Sequence, residues 1–527
     1  MKNKPYAWVP SLYLAEALPY VAVMVIATTM YKRLGLSNTD LALYTSWLYL
    51  PWVIKPLWSP FIAAIKTERW WILVMQLLIG AGFAGIAFTL PTSYWLKGSL
   101  AFFWLLAFAS ATHDIAADGL YILGLSTHDQ SLYVGIRSTF YRIGNIFGQG
   151  LLVMLAGWLE HSQSVPMAWS ITFLVLAGLF VALWLWHSIA LPRPTGPARP
   201  TPLPLPCREG SDYLTSAETE GDSQTDSAPS TIDAADIHRN ISASQTHSAP
   251  STIDAADIQH SMSASQTDSS PIDAADIQHS MSASQTHSAP SLQGRAGGGS
   301  SGGGSSPSAF WLALRTFFTK PHILTALLFM LLFRFPEGQL VKIANPFLLD
   351  SAEAGGLALS TEAVGFVYGT IGIIGLTLGG LLGGWCVSRH GLKRWLWPMV
   401  LAISLPDLVY VYLAYAAPSF AAAGDHAPLV TVNLCVFVEQ FGYGFGFTAY
   451  MLYLVYFSQG ERSTAVFSIC TAMQALGMMI PGMIAGWMAD HLGYQRFFWW
   501  VMACCLVTFA VSALIKIDPA YGKKQAS

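Results

Sequence analysis

Charged side chains occur within stretches of this sequence that are otherwise apolar. The segment ATHDIAADGLYI, residues 111–122, contains Asp114 and Asp118, which lie one helical turn apart and therefore share one face of a helix. Ser110 and Tyr121 continue that face. Carboxylates in such a stretch need a basic partner, a wet cavity or a metal ion, and the neighbouring elements decide which of these they have.

The next apolar stretch supplies two basic residues. If both stretches are helices that meet near residue 128, residues equally distant from that point lie at similar depth. Asp118 is then level with Arg137, and the same count places Asp114 level with Arg142. We therefore predict two ion pairs in a polar seam between the helices. The second helix also carries a polar stripe, which consists of Ser138, Arg142, Asn145 and Gln149.

Three interpretations of this seam remain open. In the first, two static ion pairs join the two helices. In the second, the charged groups line a cavity and bind a substrate or a proton. In the third, they bind a metal ion. The metal site is disfavoured because it needs more ligands than two carboxylates, and His113 points about 100° away from Asp114 around the helix.

The composition shows which solvent surrounds these helices. Of the 527 residues, 53% are hydrophobic and 11% are charged, whereas soluble domains have about 25% charged residues. The mean hydropathy is +0.45, so we predict a membrane protein. The net charge is −3 and the sequence has no run of basic residues, which argues against a nucleic-acid partner.

The apolar stretches have the length of membrane spans. A bilayer core about 30 Å thick requires about 20 apolar residues per helix. Six such stretches precede a polar middle segment, at about 8–30, 39–65, 70–91, 97–125, 129–158 and 166–191. Six follow it, at about 321–349, 361–388, 394–418, 428–458, 463–489 and 495–516. We therefore predict an all-α polytopic membrane protein with twelve transmembrane helices in two pseudo-symmetric six-helix halves.

The middle segment divides the chain into three parts. Residues 192–308 are rich in Pro, Ser, Thr, Ala and Asp and contain IDAADI three times, which predicts a disordered cytoplasmic linker with tandem repeats. The N-terminal half is then 1–191 and the C-terminal half 309–527. Lys and Arg are concentrated in the loops on the side of the termini, which predicts that both termini are cytoplasmic.

Further charged residues lie in the first, second, seventh and tenth spans. Arg334 and Glu337 are three residues apart and can meet on one helix face. An ionisable side chain at mid-bilayer costs about 2.5–3.5 kcal/mol, so by default it faces a partner or a wet cavity. Lys55 is expected to snorkel to the membrane surface. The other charged residues in these spans are Glu16, Lys342 and Glu439.

The two halves share short sequence motifs. RST occurs at 137–139 and again at 462–464. GGWCVSRHGLKR, residues 383–394, matches from Gly384 onward the Gly-x-x-x-Asp-Arg-x-Gly-x-Lys-Arg loop signature of the major facilitator superfamily, with Ser388 at the aspartate position. Two repeated six-helix halves joined by a long loop are typical of such transporters.

Four segments, LAEALPYVAV, KPLWSP, ATHDIAADGL and FRFPEGQLVKIANPFLLD, resemble the muropeptide permease (AmpG-type) and acetyl-CoA transporter branch of that superfamily. Ala17 stands where that branch commonly has Gly, and His113 where it commonly has Gln. The resemblance implies a secondary transporter that imports a peptidoglycan-derived muropeptide or similar solute by alternating access. It also implies that Glu16 and Glu337 meet the substrate or a proton.

Energy for uphill transport is expected from a proton gradient, because the sequence has no Gly-x-x-x-x-Gly-Lys-Ser/Thr motif. We expect a monomer in a bacterial cytoplasmic (inner) membrane, with a small-molecule substrate, no cofactor, no metal and no enzymatic activity. The alternatives are transport of another solute, such as a CoA ester or a sugar, a metal-dependent intramembrane enzyme, and a non-transporting sensor. The candidate substrate-binding or proton-coupling residues are Glu16, Asp114, Asp118, Arg137, Arg142, Asn145, Gln149, Arg334, Glu337 and Lys342.

Overall fold

The computed structural model describes residues 4–125, 127–193, 307–423, 427–460 and 463–522. These residues form helices joined by short connections, and no strand occurs among them. Apolar runs in a bilayer can satisfy their backbone hydrogen bonds within one segment only as helices. The prediction of an all-α fold is therefore confirmed for the described residues.

The first half contains six spans, which we number in chain order. Span 1 is Pro5–Arg33 and contains a π-helical turn, and span 2 is broken into two helices by a short turn. The remaining bounds are Asn38–Trp47 and Leu50–Ile65 for span 2, Glu68–Thr89 for span 3, Trp95–Gly124 for span 4, Thr127–Ile146, Phe147–Leu152 and Val153–Glu160 for span 5, and Val165–Ala190 for span 6.

The second half begins with a helix that the sequence reading did not predict, Pro307–Phe318, and continues with six spans. Spans 11 and 12 both lie within Ser463–Leu514 and divide at Gly493, whose φ of 73° and ψ of 158° are not helical. The bounds of the others are Ile323–Leu332 and Phe335–Leu349 for span 7, Thr361–Phe366, Val367–Gly372 and Ile373–His390 for span 8, Leu392–Ser404, Leu405–Asp407 and Leu408–Ala423 for span 9, and Leu429–Ser458 for span 10.

Ten of these helices are long and apolar enough by themselves to cross a membrane. The difference from the predicted twelve has two causes. The longer helix of span 2, Leu50–Ile65, has only 16 residues, and spans 11 and 12 follow each other directly across the kink at Gly493, so they count as one long helix. The predicted linker, residues 192–308, lies almost entirely outside the described residues, so its disorder and its cytoplasmic location stay predictions.

The halves approach each other closely where two π-helical turns meet. Phe147–Leu152 in span 5 and Val367–Gly372 in span 8 are both π-helical. A Cβ atom on Gly369 would lie 2.1 Å from the Cα of Gly150. Only glycine fits at such a contact, so the backbones of the two halves touch here without intervening side chains.

Polar contacts join the halves at one end of the bundle, which we call the latch end. Lys32 Nζ lies 2.6 Å from Asp350 Oδ1. The Tyr494 hydroxyl also donates a hydrogen bond to Asp350, and Asn38 Nδ2 donates to that hydroxyl at 3.2 Å. Residues of span 1 and span 2 are thereby held against spans 7 and 12.

A second set of contacts completes the latch end. Thr361 Oγ1 donates a hydrogen bond to Glu160 Oε2 at 2.8 Å, and the same carboxylate pairs with Arg33 at 2.9 Å. The backbone N–H and the hydroxyl of Thr39 donate to Asp490 Oδ2 at 2.8 and 2.7 Å. Spans 5 and 8, and spans 2 and 11, are therefore also joined at this end.

Candidate functional site

A cavity of about 230 Å³ lies between the two halves. Residues of spans 1, 2 and 5 form one wall, and residues of spans 7 to 11 form the other. The aromatic lining residues are Tyr20, Tyr49, Tyr141, Tyr368, Tyr410, Tyr443 and Phe447. Those with charged or amide side chains are Arg142, Asn145, Gln149, Arg334, Glu337, Asn345, Glu439, Gln440 and Gln474. This mixture of aromatic faces and polar groups is typical of a small-molecule site.

Arg334 and Glu337 form an ion pair in the cavity wall. Arg334 Nε donates to Glu337 Oε2 at 2.9 Å and Nη2 donates to Oε1 at 2.5 Å. Nη2 also donates to the Tyr443 hydroxyl at 2.8 Å, and the guanidinium lies 4.6 Å from the ring centre of Phe447. The predicted contact of Arg334 with Glu337 is confirmed. Both charges are satisfied by the protein itself.

Glu439 of span 10 is held by neutral groups. Gln440 Nε2 donates to its two carboxylate oxygens at 3.2 and 2.9 Å. The Tyr410 hydroxyl donates to Glu439 Oε2 at 3.4 Å, and the hydroxyls of Tyr410 and Tyr368 are 2.5 Å apart. Glu439 therefore has hydrogen-bond donors but no basic partner among these contacts.

Span 5 presents three polar side chains to the cavity. Arg142, Asn145 and Gln149 are spaced three and four residues apart, so one helix face carries all three. This confirms the stripe predicted at those positions, while the side chain of Ser138 is outside the described part of the structure. Arg142 Nη2 is buried, and no described residue accepts a hydrogen bond from it.

A second group of charges lies inside the first half and contributes nothing to the cavity lining. We call Glu16, Lys55, Asp114, Asp118 and Arg137 the seam cluster. Arg142, Arg334, Glu337 and Glu439 are the cavity cluster. Four of the five seam side chains are buried, with exposed fractions between 3% for Glu16 and 8% for Arg137.

The predicted partner of Asp114 is wrong. Asp114 Oδ2 lies 3.6 Å from Lys55 Nζ and accepts a hydrogen bond from Trp52 Nε1 at 3.2 Å. Arg137 and Arg142 are five residues apart, which is about 140° around the helix, so they cannot both face the two acids of span 4. Arg142 faces the cavity instead, and Lys55 is 7% exposed. The expectation that Lys55 snorkels to the surface is therefore also wrong.

The predicted partner of Asp118 is confirmed. Arg137 Nη2 lies 3.1 Å from Asp118 Oδ1. The Tyr13 hydroxyl donates to the same oxygen at 3.2 Å. The Arg137 guanidinium contacts two aromatic rings, at 4.4 Å from the centre of Tyr13 and 5.2 Å from that of Tyr121. This ion pair connects spans 1, 4 and 5 within the first half.

The two remaining candidates, Glu16 and Lys342, lie outside the cavity lining. Glu16 is buried in span 1 within electrostatic range of Asp114 and Asp118, and its Oε2 has no hydrogen-bond partner. Lys342 does not line the cavity, because its Nζ donates to Thr45 Oγ1 of the first half at 3.0 Å. Of the acids in spans 1 and 7, Glu337 therefore meets the cavity and Glu16 does not.

Sequence reasoning missed several polar residues of the cavity. Asn345, Gln440 and Gln474 were overlooked because an amide in an apolar run carries a weaker signal than a charge. Lys55 was recognised but assigned no partner. Within the described ranges, no group of three or more His, Cys, Asp or Glu side chains could hold a metal ion.

The sequence of this chain matches a known protein family. The family model of the Major Facilitator Superfamily matches residues 11–455. The putative transporter AmpG 1 of Rickettsia felis is 24% identical over 176 residues, which cover 33% of this chain and 36% of that protein. The putative transporter AmpG 2 of Rickettsia typhi is 23% identical over 189 residues, covering 36% and 43%. The chain thus spans less than half the length of these curated relatives.

Solved structures show the same fold. A bacterial homologue of the human lysosomal transporter Spinster, in an inward-facing and occupied conformation, is 14% identical with a TM-score of 0.57, covering 97% of this chain and 96% of that chain. A D-xylose-proton symporter is 11% identical with a TM-score of 0.57, covering 98% and 99%. The likeness over nearly the full length extends to both six-helix halves.

Proposed function

This chain belongs to the Major Facilitator Superfamily, and we propose that it is a proton-coupled secondary transporter working by alternating access. The observation that carries the proposal is the separation of two buried groups of charge. The cavity cluster borders a space between the halves, and the seam cluster lies inside one half. A transporter that couples a solute to a proton needs a site for each.

The position of the cavity supports alternating access. Because it lies between the halves, a rocking motion of one half against the other can open it to either side. The latch end joins the halves by ion pairs and hydrogen bonds such as Lys32 to Asp350 and Thr361 to Glu160. Breaking these contacts opens the cavity at the latch end.

The seam cluster provides carboxylates suited to carrying a proton. Asp114 Oδ1 and Glu16 Oε2 are buried, and neither accepts a hydrogen bond from a residue in the described ranges. An ionised carboxylate in that position is costly, and protonation lowers the cost. A proton on Asp114 also weakens its attraction to Lys55, which changes the contact between spans 2 and 4. In this proposal that change couples protonation to the movement of the halves.

The proposed cargo is a peptidoglycan-derived muropeptide or a similar solute. Support comes from the resemblance of the span 1, 4 and 7 motifs to the AmpG-type branch and from relatives whose names include AmpG. In this proposal the chain works as a monomer in a bacterial cytoplasmic membrane, with both termini cytoplasmic and uptake directed inward. The latch end then faces outward, and neither a cofactor nor a metal takes part.

Uptake into proteoliposomes tests the proposal. The purified chain is reconstituted, a proton gradient is imposed, and accumulation of labelled anhydro-muropeptide, sugar and CoA ester is measured with and without a protonophore. We expect accumulation of the muropeptide that collapses with the gradient. Accumulation that ignores the protonophore contradicts proton coupling, and accumulation of only the sugar or the CoA ester contradicts the proposed cargo.

A further inference from the structure

One charged side chain of the cavity cluster has no partner among the residues that the structure describes. Arg334 and Glu337 satisfy each other, and Glu439 accepts hydrogen bonds from Gln440 and Tyr410. Arg142 forms no hydrogen bond or ion pair with any residue that the structure describes, and its Nη2 is shielded from solvent. The cavity therefore presents one unmatched positive charge.

A partly buried guanidinium without a counterion is unfavourable, and a bound anion removes that penalty. The planar fork of an arginine fits the two oxygens of a carboxylate or phosphate in a bidentate pair. We infer that Arg142 forms the subsite that binds an oxyanion, either a carboxylate or a phosphate, of the transported solute. The inference rests on the proposed function and adds a rule of selectivity, because a neutral solute leaves Arg142 unpaired.

Two buried amide oxygens of the cavity indicate which other groups the solute carries. Asn345 and Gln474 line the same cavity, and within the described part of the chain Asn345 Oδ1 and Gln474 Oε1 have no hydrogen-bond donor. Asn345 Nδ2 is already engaged with Thr29 Oγ1 at 3.4 Å, so the free group of that side chain is its acceptor. Buried acceptors are satisfied by N–H or O–H donors. The preferred solute combines an oxyanion with amide or hydroxyl donors.

The other cation of the cavity does not compete for this anion. Arg334 is held by two hydrogen bonds to Glu337 and one to Tyr443, and it packs over Phe447. An anion that approached Arg334 would have to displace Glu337. Arg142 offers its guanidinium without such an exchange.

The test compares charged and neutral forms of one solute. Proteoliposomes containing the wild type or Arg142→Gln are given an anhydro-muropeptide with free carboxylates, the same compound with its carboxylates amidated, and a CoA ester as the phosphate probe. We expect Arg142→Gln to raise the KM for the free acid about 10- to 100-fold, as for a lost charge-assisted hydrogen-bonded pair. The KM for the amidated compound should stay within about twofold of the wild type.

Two further variants sharpen the result. Arg142→Lys keeps the charge but loses the bidentate fork, so it should recover part of the affinity for the free acid. Arg496→Gln removes an exposed arginine outside the cavity and should transport like the wild type. Equal losses for the free acid and the amidated compound in Arg142→Gln would overturn the inference, because Arg142 would then not recognise charge. A loss for the CoA ester alone assigns the subsite to phosphate.

A binding measurement separates this inference from the proposed function. In detergent, thermal stabilisation by each probe needs neither a gradient nor a membrane. We expect the wild type to be stabilised by an anionic probe but not by the amidated compound, and Arg142→Gln by neither. Stabilisation without uptake contradicts the proposed transport and keeps the subsite. If no anionic probe at millimolar concentration stabilises the wild type, the subsite is overturned.

Discussion

The seam cluster and the cavity cluster contain similar side chains in different surroundings. The seam cluster pairs Lys55 with Asp114 and Arg137 with Asp118 across spans of one half. The cavity cluster combines Arg142 of the first half with three charges of the second half around an open space. When the halves move against each other, distances change in the cavity cluster, whereas the pairs of the seam cluster can persist.

This difference shows that a buried charge does not by itself mark a substrate site. All charges of both clusters lie in membrane spans, where an unpaired ionisable group costs about 2.5–3.5 kcal/mol. In the seam cluster, Lys55 pairs with Asp114 and Arg137 with Asp118, and Glu16 has no ion-pair partner among the described residues. In the cavity, Arg142 is left unmatched. We therefore propose that the seam cluster couples the proton and that the cavity cluster recognises the solute, and four predictions test that division.

The largest effect is expected from Asp114→Asn. With a pH gradient equivalent to about 100 mV and no membrane potential, one coupled proton supplies about 2.3 kcal/mol, which supports nearly fifty-fold accumulation of the solute. Without a titratable group at this position, accumulation should fall to about equal concentrations on both sides, while exchange of solute down its own gradient continues. Uptake in proteoliposomes, compared with solute counterflow, measures the two quantities separately.

The control for that variant is the double substitution Lys55→Gln with Asp114→Asn. It removes both charges, so no unpaired lysine remains buried in span 2. If the pair is a static link between spans 2 and 4, the double variant accumulates solute like the wild type. Restored accumulation would thus contradict the assignment of coupling to the seam cluster.

Glu337→Gln is expected to act on solute binding and on stability. It leaves the Arg334 guanidinium buried without its carboxylate, and breaking a buried pair costs about 3–5 kcal/mol. We expect a lower melting temperature in detergent and altered solute binding, because the Arg334 guanidinium freed in the cavity wall offers a second positive charge to the solute. The double variant Arg334→Gln with Glu337→Gln should regain stability but not wild-type binding. Binding that returns along with stability would show that the pair is only structural.

Gly369→Ala tests the motion that links the clusters. The added methyl group would lie 2.1 Å from the Gly150 Cα, so the halves could no longer approach as they do here. We expect several-fold slower turnover with little change in the affinity of the cavity for the solute. Gly178→Ala is the matched control, because nothing lies within 4 Å of its added methyl group. Equal turnover of the two variants would contradict a role for this contact.

The smallest effect is expected at the latch end. Asp490→Ala removes an acceptor for two exposed hydrogen bonds from Thr39. Exposed hydrogen bonds contribute at the low end of the usual range, about 0.5 kcal/mol, so turnover should change about two- to threefold. Asp490→Asn keeps an acceptor oxygen and should lie closer to the wild type. A complete loss of uptake in Asp490→Ala would show that transport depends more on the contacts of the latch end than on the two charge clusters.

The sequence by itself determined the class of the protein and the number of its spans. Apolar runs of about 20 residues can cross a bilayer only as helices, so this result does not depend on how the helices pack. Helical spacing also predicted the contact between Arg334 and Glu337, because residues three apart on a helix meet wherever that helix lies.

Contacts between spans could be predicted only in part. The number of residues between a side chain and the loop gives its depth in the membrane, and this correctly paired Asp118 with Arg137. The same count failed for Asp114, because equal depth does not show which way a side chain points around its helix. The five-residue interval between Arg137 and Arg142 already indicated two different faces. The sequence did not show that Lys55, almost sixty positions earlier, would supply the missing charge.

Only the tertiary structure decided which polar residues border the cavity. Asn345, Gln440 and Gln474 come from three different spans, and no local pattern brings them together. Their positions follow from how the two halves pack, including the contact of Gly150 with Gly369. Helix formation depends on backbone hydrogen bonds between near neighbours in the chain, whereas a cavity is the space left between distant segments. For that physical reason, the sequence was enough to define the spans, and the site required the packed structure.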